Sequence, residues 1–166
     1  DDMKTKILLS MCAFAAMAAP AFARPAHKQP PSFLGKWALD VAKMPVTYGT
    51  PPKSVTYAFS DIGNGTWQTT IDIVMPDESV RHMEVRYRRD GQAVKGDGDK
   101  MEGDSAAVNS PAPNVLVMSL AKAKGLESVR VYAVSADGNE VTESAADVDD
   151  DGTPFVRNFR FTRIRG

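Results

Sequence analysis

The chain predicts an all-β protein, an antiparallel up-and-down barrel of about eight to ten strands. Three observations carry this. From Val55 onward, apolar and polar residues alternate with a period of two, as in Val55, Tyr57 and Phe59 against Thr56 and Ala58; that period turns one face of a strand to a core. The alternating stretches are short and parted by turn signals such as Asp61-Ile62-Gly63-Asn64-Gly65, Pro76-Asp77-Glu78, Asp90-Gly91 and Asp137-Gly138. Twelve Gly and eleven Pro among 166 residues suit many turns and no long helix.

Before the barrel comes a different kind of segment. Asp1 and Asp2 precede the expected initiator Met3, then Lys4 and Lys6 lead into the apolar run Ile7 to Ala19 and the small-x-small site Ala21-Phe22-Ala23. This is the pattern of a secretory signal peptide, so residues 1–23 are expected to be removed and the protein to be periplasmic or secreted. The run is shorter than the roughly 20 residues needed to span a bilayer. Met11 is too large for the position ahead of a lipidated Cys12. Cys12 is the only cysteine and leaves with the signal, so no disulfide or cysteine metal site is expected in the mature domain. Residues 24–32 are Pro-rich and read as an extended lead-in. Residues 33–166 read as one domain.

Each element follows from local pattern. Gly35 opens the first strand. Asp40-Val41-Ala42-Lys43-Met44 reads as a helical turn capped by Asp40 and stopped by Pro45. Strands are expected at Val55–Phe59, Trp67–Met75, Met83–Tyr87 and Gln92–Lys95, then a polar glycine-rich loop over Gly96–Gly103. Further strands are expected at Ser105–Asn109, Val115–Leu120, Val129–Val134 and Val141–Ala146. Phe155–Ile164 closes the set after the acidic turn Asp147–Pro154. Sequential hairpins favour a meander. A closed sheet of this size leaves space for its own side chains and one small ligand.

Phe33-Leu34-Gly35-Lys36-Trp37-Ala38-Leu39-Asp40, with Ala42-Lys43 behind it, resembles the opening motif of small bacterial exported lipocalin-like proteins. Pro52-Lys53-Ser54-Val55, His82-Met83-Glu84, Asp90-Gly91, Ala136-Asp137-Gly138 and Asp151-Gly152-Thr153-Pro154 follow in that group's order. Met44 stands where the group often has Ser, and Arg89 where it often has an aromatic. The resemblance implies a calycin-type barrel and no particular reaction. It also implies that Trp37 closes one barrel end beneath a cation from the last strand, Arg163 or Arg165.

Candidate site residues come from strand parity. Tyr57, Trp67, Met83, Tyr87 and Phe159 share the apolar register of their strands, as does Phe161, and line either a pocket or a filled core. The small residues Thr142, Ser144 and Ala146 would make one thin wall. Arg89 and Arg157 fall on the inward parity, where an unpaired charge is costly, so each either clamps a ligand anion or reaches water at a strand end. His82 and Glu84 share a face, and a His beside a carboxylate can act as a general base. That face also carries Arg86 and Arg88, the mark of a solvent side; His82, Tyr87 and Arg89 are the catalytic candidates. His27 lies in the lead-in, so a His-rich zinc site is excluded. Asp147, Asp149 and Asp151 match the first half of a calcium loop, but Asn158 stands where the closing Glu belongs. No G-x-S-x-G turn occurs, which argues against a serine hydrolase.

These patterns point to a barrel that binds a small hydrophobic or aromatic molecule, with no cofactor, as a monomer or homodimer. The alternative is a cofactor-free lyase or isomerase acting on a small aromatic or carbonyl compound in the same cavity. A formal net charge of −1 gives no reason to expect a nucleic-acid partner.

Overall fold

The computed structural model describes residues 32–165. The signal peptide, Cys12, His27 and nearly all of the Pro-rich lead-in lie outside the described residues.

Ten strands form: β1 Gly35–Leu39, β2 Ser54–Asp61, β3 Thr66–Val74, β4 Val80–Arg88, β5 Asp90–Gly98, β6 Ser105–Ala112, β7 Val115–Lys122, β8 Gly125–Val134, β9 Glu140–Val148 and β10 Pro154–Ile164. Each pairs antiparallel with its chain neighbours, and β1 pairs with β10, so the sheet closes on itself with no free edge. This is the up-and-down barrel that the alternation predicts. Among the described residues helix is confined to two 3-10 turns, Val41–Lys43 and Val46–Tyr48, between β1 and β2. No helix among the described residues is long and apolar enough to cross a membrane.

Several boundaries differ from expectation. The Gly96–Gly103 loop is shorter, because β5 continues through Gly98. Asp40 precedes the first 3-10 turn but makes no side-chain cap; its carboxylate pairs with Lys43 at 2.8 Å instead. The shortest ladder joins β4 to β5, over Met83–Val85 and Gly96–Gly98 only.

The barrel has two unlike ends. One carries the β2–β3, β4–β5, β6–β7 and β8–β9 turns and is filled. There Trp37 is wholly buried, its Nε1 donates to the Phe33 carbonyl at 2.7 Å, and Phe33 packs on Phe59 with ring centroids 5.7 Å apart. Of the two candidate cations, Arg163 takes the Trp37 ring, with Cζ 4.0 Å from the centroid. It also donates to the carbonyls of Gly138, Leu34 and Ser32 at 2.6–2.7 Å. Gly35 makes room for this: at φ +121° its backbone suits no L side chain, and a Cβ there would sit 2.8 Å from the Arg163 guanidinium.

Candidate functional site

Toward the other end, under the β1–β2 connection, lies a cavity of about 270 Å³. Its apolar wall comes from Val55 on β2, Ile71 and Ile73 on β3, Met83 on β4, and Phe159 and Phe161 on β10. Parity explains each: all are alternate residues of strands that must turn one face from water. Phe161 stacks on Tyr57, centroids 4.6 Å apart, and Tyr48 from the second 3-10 turn packs on Phe159 at 5.5 Å. Met44, Pro52, Asp147, Phe155 and Arg157 also border the cavity. A smaller space of about 50 Å³ adjoins it beside the short β4–β5 ladder, sharing Ile71, Met83, Glu102 and Arg130.

The polar side of the cavity is a cluster that sequence reading missed. Glu143 on β9 is 2 % exposed. Its Oε2 accepts from the Tyr57 hydroxyl at 3.1 Å, and its Oε1 lies 3.5 Å from Arg130 on β8. Arg130 also donates to Glu102 of the β5–β6 loop at 2.5 Å and through Nε to the Ser128 hydroxyl at 3.3 Å. Burial pushes the Glu143 carboxyl above its ordinary value, against the opposing pull of Arg130 and Tyr57. Burial and the Glu143 charge push Tyr57 and Tyr132 up as well. Burial disfavours the charge on Arg130, but Tyr132, Tyr57, Glu143 and Glu102 outweigh it and raise its pKa.

The reason for the miss is parity on two ambiguous strands. On β8, Ser128, Arg130, Tyr132 and Val134 point inward while Val129 and Val131 do not; either set reads as apolar enough. On β9 the expected thin wall of Thr142, Ser144 and Ala146 is reversed. Buried Val141 and Glu143, with Ala145, face the lumen, and Ser144 instead bonds Asn158 at 2.7 Å on the exposed side. Val141 was the available signal, since burying it forces Glu143 inward two residues later.

The sequence-chosen residues divide between the two ends. Tyr57, Met83, Arg157 and Phe159 border the larger cavity. Trp67, Tyr87 and Arg89 do not, because their ends of β3 and β4 belong to the filled end. Trp67 and Tyr87 are buried there, the Tyr87 hydroxyl shares a 2.8 Å hydrogen bond with Thr69, and Arg89 lies over the Trp67 ring at 3.9 Å. Trp67 Nε1 finds no acceptor there. Both arginines thus reach water at strand ends, Arg157 against the rings of Phe155 and Tyr48 at 4.7 and 5.2 Å.

His82 points out of the barrel, its Nδ1 2.6 Å from Asp72 rather than beside Glu84, because Asp72 is its direct cross-strand partner. The three turn aspartates do not converge. Asp147 borders the cavity, while Asp149 and Asp151 accept from the Thr153 backbone N–H. Among the described residues no group of three His, Cys, Asp or Glu side chains is placed to hold a metal.

No protein-family model matches the chain, and no curated protein sequence does either. Solved structures do. Fatty-acid-binding protein 1 of Echinococcus granulosus matches with a TM-score of 0.56 at 13% identity, covering 80% of this chain and 98% of that one. The wild-type fluorescent protein UnaG matches with a TM-score of 0.53 at 14% identity, covering 80% and 97%. At such identities the likeness is one of fold: this chain has the closed ten-stranded architecture of calycin-type barrels.

Proposed function

We propose that this chain is an exported barrel that holds a small hydrophobic guest, aromatic in class, in its lumen. The observation that carries the reading is the cavity itself. At about 270 Å³ it lies just under the ~300 Å³ at which ligand pockets begin. It is nearly twice the ~150 Å³ that holds benzene in an engineered protein core. Its wall of Val55, Ile71, Ile73, Phe159 and Phe161 desolvates an apolar guest, and the polar cluster on one side fixes its orientation. A fold neighbour named for binding fatty acid fits this reading.

The test is calorimetric titration with 1-naphthylmethanol, an uncharged aromatic probe. One saturable site per barrel is expected. Ala145 faces the cavity, so Ala145→Leu fills it and should weaken binding about tenfold, the loss of ~1.4 kcal/mol. A chain that binds no probe, or binds it equally after filling, sinks the proposal. Export has its own check: the intact mass of protein recovered from the periplasm or medium should begin after Ala23.

A second reading, proton transfer on a small carbonyl compound, draws on one observation. Glu143 and Tyr57 face the lumen beside Arg130, and burial raises the proton affinity of both. Deuterium exchange at the carbon next to an aryl ketone, present with this protein and absent with Glu143→Gln, would support it. No exchange above buffer would end it.

A further inference from the structure

We infer that the lumen selects apolar amines over apolar carboxylic acids. The inference rests on the proposed role of the cavity as a ligand site and names the class of guest it takes.

The argument is an inventory of donors and acceptors. Arg130 is the enclosed cation of the cavity, with a side chain 14% exposed. A carboxylate guest would need its guanidinium edge, since paired N–H donors are what recognise a carboxylate. All three nitrogens already face groups of the chain: Nε donates to Ser128, one terminal nitrogen donates to Glu102, and the other lies 3.5 Å from Glu143. The Tyr57 hydroxyl is committed too, to Glu143. The guanidinium keeps N–H groups beyond these contacts, but its edge is flanked by two carboxylates of the chain, which repel an incoming anion, and the one Tyr57 proton is taken. An acid would have to share Arg130 with these carboxylates, placing like charges together in low dielectric, or displace one that is tied to the chain.

Acceptors are in surplus. Two carboxylates, Glu143 and Glu102, share one guanidinium, and each ionised carboxylate offers about four lone-pair sites. Neither Glu143 oxygen is saturated: Tyr57 donates to one, and Arg130 lies 3.5 Å from the other. A protonated amine brings up to three donors and one positive charge, which completes the acceptors and balances the second carboxylate. Asp147 at the cavity edge adds to the same field. Arg157 is the opposing charge, but it is solvent-exposed and stacked on Phe155 and Tyr48, so water and salt screen it. Burial raises the proton affinity of Glu143; a cation placed against it pulls the other way and favours the ionised form.

The test compares three probes on one ring: 1-naphthylmethylamine, 1-naphthylmethanol and 1-naphthoate, each titrated at neutral pH by calorimetry. The amine should bind about tenfold or more tighter than the acid, with the alcohol between. Glu102→Gln, on a loop and partly exposed, should cut the preference for the amine several-fold without touching the barrel strands. Glu143→Gln should cut it further. If the alcohol binds and the acid matches or exceeds the amine, the selectivity inference falls while the lumen remains a ligand site. If none of the three binds, both fall. An amine preference that survives both glutamine variants overturns the assignment to these carboxylates.

Discussion

The Tyr57 hydroxyl donates to Glu143 across the lumen at 3.1 Å, joining β2 to β9 between residues 86 apart in sequence. Neither residue is a sequence or strand neighbour of the other, so the bond exists only because the barrel closes. It sets one side of the cavity and makes Glu143 the centre of the polar cluster.

Glu143 should leave a signature in the pH dependence of stability. Its carboxyl keeps its proton to higher pH in the folded chain than its ordinary 4.5, because burial disfavours the charge. Between those two values the folded state holds more protons than the unfolded one, so this group's contribution is complete below 4.5 and is lost as pH rises through the raised value. Urea unfolding of the protein and of Glu143→Gln across that range should show the wild-type advantage shrinking with rising pH. A constant difference would mean that Arg130 and Tyr57 fully offset the burial.

At the filled end, Arg163→Ala should cost about 2–4 kcal/mol, through lost hydrogen bonds to three carbonyls and the lost ring contact with Trp37. Arg163→Lys should restore only part of this, since an ammonium cannot present the same planar fork. Chemical denaturation measures both; full rescue by Lys would show that charge alone matters there.

Gly98 should be intolerant of any side chain. Its φ is +84°, and a Cβ would fall 2.2 Å from the His82 carbonyl, which belongs to backbone and cannot swing away. Gly98→Ala is expected to destabilise by more than ~1 kcal/mol and to loosen the short β4–β5 ladder, read out as faster amide exchange at Met83–Val85.

His82→Ala should change little. The His82–Asp72 pair is solvent-exposed on the barrel's outer face, so its loss is expected to cost less than ~1 kcal/mol and to leave probe affinity unaltered. A large drop in affinity would place His82 in the binding machinery after all.

How far the sequence could be read depends on how clean each strand's alternation is. On β2, Val55, Tyr57 and Phe59 leave one face only for the core, and all three are buried. On β10 Phe161 is buried and Phe159 partly so. On β9 the inward face mixes Val141 with Glu143, so Val141 alone signals the register, and on β8 both faces carry Val or Tyr, so local pattern gives no way to choose. Nor does parity say how far along the barrel a residue lies. Trp67 and Tyr87 share the inward face with Ile71 and Met83, yet the first two plug one end and the second two border the space at the other.

From residue order alone come the strands, their turns and the antiparallel meander, because a two-residue period and turn chemistry are local properties; the Trp37 plug came from the resemblance carried by Gly35-Lys36-Trp37. Closure decided the rest. Only when β1 met β10 did ten inward faces converge on one volume, and only then did Glu143, Arg130, Tyr57 and Glu102 come within hydrogen-bond reach beside a cavity. Which side chains fill that volume and which leave it empty is a sum over all ten strands, and no single strand encodes it.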